Sequence, residues 1–123
     1  RNSVEINFIE KDILKTNDLD KIYDIIVSNP PYVRELEKQE MQKNVLEYEP
    51  HLALFVYVED ALILYLKITQ LASKSLSEGG QLYFEINQYL GTRMLDLLNE
   101  YNFRDIELRK DIYGNDRMIF GRK

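Results

Sequence analysis

No cysteine occurs anywhere in the 123 residues, which excludes a disulfide scaffold, a Cys-ligated zinc site and a thiol nucleophile. A single histidine, His51, leaves no multi-histidine metal cluster and argues against a Ser-His-Asp triad. No apolar run approaches the roughly 20 residues that a membrane-spanning helix needs. Positive charge is also in short supply, with 16 Lys and Arg against 21 Asp and Glu and a net charge of −5. Gripping a phosphate backbone takes clustered Lys and Arg, so this balance weighs against a chain that binds nucleic acid by itself. The chain opens Arg1-Asn2-Ser3-Val4, without an initiator methionine or a signal-peptide pattern, and is read as a cut from a longer parent.

What is present fits one domain: a hydrophobic share of 45%, 30% charged residues, and no repeats or low-complexity stretches. Val4, Ile6 and Phe8, with Ile9 beside them, alternate with polar residues and predict a short strand over Val4 to Glu10. Lys15 to Lys21 is polar and reads as a loop. Tyr23-Asp24-Ile25-Ile26-Val27-Ser28 is a β-branched run, expected of a strand covered on both faces in a parallel sheet. It stops at Asn29-Pro30-Pro31, since proline has no N–H to continue a central strand.

Arg34 to Glu49 is charged, with Leu36, Met41, Val45 and Leu46 as its apolar anchors, and is expected to be solvated and partly helical. His51 to Val56 has no clear period. Glu59 and Asp60 predict the start of a helix over Ala61 to Leu76, and Gly79-Gly80 predicts its end. Gln81 to Ile86 reads as a second buried strand and Tyr89 to Tyr101 as an amphipathic helix with Leu90, Met94, Leu97 and Leu98 on one face. Asp105 to Arg109 and Met118 to Gly121 predict two closing strands, joined through Tyr113-Gly114-Asn115-Asp116. Alternating strands and helices imply an α/β class, with a mostly parallel sheet, right-handed crossovers and a closing antiparallel strand.

Asn29-Pro30-Pro31-Tyr32 is the segment that carries chemistry. In open α/β sheets, ligands sit beyond the carboxyl ends of the strands, and this tetrapeptide lies at such an end. Two successive prolines offer carbonyls and no N–H, and Asn29 adds a side-chain carbonyl. The two acceptors suit a planar –NH2 group with two hydrogens to give. Tyr32 supplies an aromatic face on which a flat amide or base can lie and which favours positive charge. The set fits methylation of an amino or amide nitrogen, a poor nucleophile whose attack is helped by accepted hydrogens and a stabilised developing cation. No strong base is needed before transfer, because the proton can leave afterwards. The alternative is a rigid loop after a strand.

The run Asp24-Ile25-Ile26-Val27-Ser28-Asn29-Pro30-Pro31-Tyr32 resembles the fourth motif of the amino-methylating, S-adenosylmethionine-dependent Rossmann-like methyltransferases. Tyr48-Glu49-Pro50-His51-Leu52-Ala53-Leu54, Gly79-Gly80 before Phe84-Glu85-Ile86, and the close Arg109-Lys110-Asp111-Ile112-Tyr113-Gly114-Asn115-Asp116-Arg117 narrow the resemblance to the PrmC/HemK family of release factor glutamine methyltransferases. The resemblance covers nearly the whole chain. It implies S-adenosyl-L-methionine as methyl donor, a peptide chain release factor as partner, the side-chain amide of the glutamine in its Gly-Gly-Gln motif as acceptor, and a cytoplasmic setting. By the same resemblance Asn29 and Pro30 hold the acceptor amide, with Pro31 and Tyr32 shaping its slot and Glu49 and Pro50 the cleft wall. Asp12, Ile13 and Asn29 fall where the family contacts the cofactor, and no metal is implied. Taken alone, Asp12 and Ile13 are a turn residue and a core residue, His51 is solvated or packs in a loop, and Glu85 makes a structural hydrogen bond.

Two departures matter. Phe55-Val56-Tyr57-Val58-Glu59-Asp60-Ala61 stands where the family commonly shows glycines. The five glycines, at positions 79, 80, 91, 114 and 121, form no cofactor-binding loop. The chain is therefore expected to be the C-terminal portion of one methyltransferase domain, without its first two strands and its Gly-rich loop. By itself it should be inactive and should expose apolar sheet edges that invite self-association. Two other readings stay open: an adenine or guanine amino-group methyltransferase, and a non-catalytic assembly fragment.

Overall fold

The computed structural model describes residues 4–30 and 50–123, and for residues 50–61 the backbone alone. After a short 3₁₀ turn at Ile13–Lys15, the elements are β1 (Tyr23–Ser28), α1 (Pro50–Ser75), β2 (Leu76–Glu85), α2 (Gly91–Glu100), β3 (Arg104–Lys110) and β4 (Asp116–Arg122). A second 3₁₀ turn, Gln88–Leu90, leads into α2. The described sheet runs β1-β2-β4-β3. β1 and β2 are parallel, while β4 lies antiparallel between β2 and β3. The α/β class holds, and the sheet is mixed as expected, with parallel pairing of β1 and β2 and an antiparallel closing strand.

The departures from expectation lie at the N-terminal side. The strand expected over Val4 to Glu10 does not form: residues 4–12 carry no regular structure, and Phe8 is 91% exposed. Alternation makes a strand only where a neighbour takes the backbone N–H and C=O groups. None of the four described strands lies beside this segment. β1 falls where its β-branched run predicts, yet it is not covered on both faces. Ile26 packs on the core, whereas Ile25 and Val27 are exposed. Among the described strands β1 stands at the edge, paired with β2 on one side only.

Helix α1 starts at Pro50, earlier than the acidic pair Glu59-Asp60 suggested. Proline is well suited to a first helical position, where its missing N–H has no intrahelical partner to lose. From residue 62 onward the helix buries Tyr65, Thr69, Leu71 and Ala72 against the sheet. The buried Thr69 hydroxyl donates to the Tyr65 carbonyl at 2.8 Å, so no polar group is stranded.

Gly79-Gly80 does not cap this helix, which ends at Ser75. Both glycines lie inside β2, where the pairing slips from Tyr23↔Leu76 to Ile25↔Gln81. The slip demands a bulge. Gly79 takes φ +81°, and a Cβ on Gly80 would meet the Ser77 carbonyl oxygen at 2.8 Å and that of Asp24 at 3.1 Å. Beyond the bulge Leu82 and Phe84 alternate inward. They join Met94, Leu98 and Ile119 in the core, with the Phe84 ring edge-on to Tyr65 at 5.2 Å. Helix α2 forms where its periodicity predicts, and Asn102 (φ 64°) ends it with the Phe103 N–H donating to the Leu98 carbonyl at 3.0 Å.

Candidate active site at the carboxyl ends of β1 and β2

The last registered pair of β1 and β2 is Ser28↔Phe84, so Asn29 and Glu85 follow side by side at the carboxyl edge of the sheet. Asn29 is exposed and Pro30 is buried. A side chain able to accept a hydrogen bond thus sits at the open rim, anchored by a packed proline. Pro31, Tyr32 and Glu49 lie outside the described residues, and Pro50 opens α1 as backbone alone. His51 also falls in α1, not in a loop. The Glu85 carbonyl accepts the Tyr65 hydroxyl at 2.9 Å, which ties the floor of this rim to α1.

Ile13 is brought to the same place. It is half-buried and lines a cavity of about 160 Å³ together with Leu19, residues 26–28 of β1, and Ile68 and Leu71 of α1. Asp12 beside it caps the 3₁₀ turn: its carboxylate accepts the Leu14 N–H at 3.0 Å, and its carbonyl accepts the Thr16 hydroxyl at 2.7 Å. The turn role foreseen for Asp12 taken alone is therefore real, and it holds Ile13 in position. The apolar lining fits a flat ring, and the exposed Asp12 carboxylate fits a donor at its margin. Among the described residues no group of three His, Cys, Asp or Glu could hold a metal ion.

The β3–β4 hairpin belongs to this rim as well, a role that sequence reasoning left unassigned. The Ile86 N–H donates to the Arg117 carbonyl at 2.8 Å, so the turn over residues 111–115 projects past the same sheet edge as Asn29. Asp111 organises that turn. Its carboxylate accepts the N–H groups of Tyr113 and Asn115, at 2.9 and 3.0 Å, and faces the Arg117 guanidinium at 3.3 Å. These bonds, the Asn115 N–H foremost, hold its carboxyl below the ordinary carboxylate value. Lys110 closes the hairpin base on Asp116 at 2.9 Å. Asp-x-x-Gly spacing over Asp111 to Gly114 was the available signal, since Gly114 takes the φ of +82° that such a turn requires.

Comparison with known proteins gives this rim a context. No protein-family model matches the chain. The release factor glutamine methyltransferase of Flavobacterium psychrophilum is 67% identical over 96% of the chain and 41% of its own length. That of Bacteroides thetaiotaomicron is 47% identical over 94% of the chain and 42% of its own length. The crystal structure of a release factor-specific protein-(glutamine-N5) methyltransferase from Alicyclobacillus acidocaldarius superposes with a TM-score of 0.52. At 23% identity, over 83% of this chain and 49% of that one, the likeness speaks for the fold alone. The chain thus spans less than half the length of the curated relatives it matches. On identity sustained across nearly all of its residues, it belongs to the release factor glutamine methyltransferase family.

Proposed function

We propose that this chain is the C-terminal portion of a methyltransferase domain whose full-length protein methylates the side-chain amide nitrogen of the glutamine in the Gly-Gly-Gln motif of peptide chain release factors. The observation that carries this reading is the placement of Asn29, exposed at the carboxyl end of a strand parallel to β2 and followed by buried Pro30. S-adenosyl-L-methionine would supply the methyl group as an electrophile on a sulfonium. Ile13 would cover the face of its adenine and the Asp12 carboxylate would accept from the adenine amino group. The Asn29 side-chain oxygen and the Pro30 carbonyl would each accept one hydrogen of the glutamine amide, orienting its nitrogen toward the methyl carbon. Transfer would leave the bonding pair on sulfur and positive charge on the amide nitrogen. The Asn29 and Pro30 oxygens would bind more strongly as that charge develops, which would lower the barrier. The proton then leaves the nitrogen for solvent. By the family resemblance Pro31 and Tyr32 would shape the slot and Glu49 and Pro50 the cleft wall, in a cytoplasmic enzyme.

Asn29→Ala in the full-length protein tests this. Turnover on a release factor should fall about 100-fold or more, the scale of losing one transition-state hydrogen bond. Affinity for the cofactor, followed by isothermal titration, should change far less. Turnover at the parent rate would remove Asn29 from the mechanism.

A further inference from the structure

Ile112 and Tyr113, at the tip of the β3–β4 hairpin, are 92% and 82% exposed. Side by side on a turn, the two make a contiguous exposed apolar patch, the kind of surface that meets another molecule. The tip is also rigid. Asp111 accepts two backbone N–H groups of the turn, and the Gly114 N–H donates to the Asp111 carbonyl at 3.1 Å. The charged residues at its base are turned on one another, Lys110 on Asp116 and Arg117 on Asp111. What the hairpin presents outward is therefore apolar and already ordered, so little entropy is lost when a partner covers it.

Position says which partner. Register runs level from Ser28 through Phe84 to Ile119, which puts Asn29 level with Glu85 and Met118. β4 is two strands from β1, roughly 10 Å away at the usual strand spacing. The hairpin tip rises above Met118 by a few residues, on the order of 10 Å. Asn29 and the tip thus stand at one edge of the sheet on either side of the carboxyl end of β2, a separation that one extended polypeptide can span.

Resting on the acceptor role of Asn29, we propose that Ile112 and Tyr113 clamp the polypeptide that carries the acceptor glutamine, gripping residues that flank the amide while Asn29 holds the amide itself. The hairpin then discriminates between a folded protein substrate and a bare glutamine amide.

The test compares methyl transfer by the full-length protein and its Ile112→Ser/Tyr113→Ser variant on two acceptors. One is an intact release factor and the other a Gly-Gly-Gln tripeptide, too short to reach the tip. Melting temperature serves as the check on folding, which two exposed side chains should scarcely affect. The drop in kcat/KM on the release factor should exceed that on the tripeptide by about tenfold, carried mainly by KM, as expected for losing two apolar contacts. Equal drops on both acceptors, or no drop on the release factor, would overturn the clamp. Asn29→Ala run in parallel separates the two ideas. If Asn29→Ala abolishes transfer while the hairpin variant discriminates no differently from the parent, the clamp alone fails. If the parent methylates neither acceptor, or Asn29→Ala keeps the parent rate, the acceptor site fails and the clamp falls with it.

Discussion

Asn29 and Asp111 divide the work at the rim between a side chain left open and one fully engaged. Asn29 is exposed, with its backbone held between a strand and a buried proline. Asp111 spends its carboxylate on the turn that shapes the hairpin. Its ionisation is coupled to folding, with a sign set by its depressed value. A carboxyl that is more acidic in the folded chain adds stability above its unfolded value, about 3.9 for Asp, and that contribution is lost as pH falls through the lower folded value. Urea unfolding from neutral pH down to about pH 3 should therefore show an acid-side loss of stability that Asp111→Asn reduces. An unaltered acid limb in the variant would mean that the turn does not need the charge.

Among the elements, β2 carries the sharpest constraint. Its bulge lets one strand both follow α1 without a loop and come into register with β1, and Gly80 sits where backbone atoms of residues 77 and 24 leave no space for a methyl group. Gly80→Ala should cost about 1–3 kcal/mol, the range for forcing extra volume into packed surroundings, measured as a lowered urea midpoint. A smaller loss would show that the bulge yields. Gly-Gly was read in the sequence as a helix end because glycine serves caps and bulges equally well. The distinction depends on which strand lies alongside, and that is not a local property. By contrast, α2 was legible throughout: Met94, Leu97 and Leu98 meet the core at the spacing their pattern predicts.

For the whole molecule, open surface is the governing fact. Ile25 and Val27 on β1 are 56% and 73% exposed, and Val4, Ile6, Phe8 and Ile9 are exposed beside no described strand. A strand edge with apolar neighbours templates pairing with another chain. The 123-residue chain is accordingly expected to self-associate with rising concentration in sedimentation velocity, and Val27→Lys should shift it toward monomer. A monodisperse monomer at high concentration would contradict this. Cofactor binding belongs to the same scale. One cavity beside Ile13 offers little surface for so large a ligand, so titration of the isolated chain with S-adenosyl-L-methionine should show no micromolar binding. A micromolar isotherm would refute the dependence on a larger domain.

Local chemistry in the sequence was enough to determine β1 and its abrupt end, the face of α2 and the two closing strands. Each depends on neighbours along the chain: β-branched runs, a 3.6-residue period, and prolines that cannot donate. Tertiary structure alone decided that Val4 to Glu10 pairs with none of the described strands, that Gly79-Gly80 forms a bulge, and that the hairpin tip shares an edge with Asn29. Those outcomes turn on which strand stands beside which, and hydrogen-bond partners in a sheet are supplied by residues far apart in sequence.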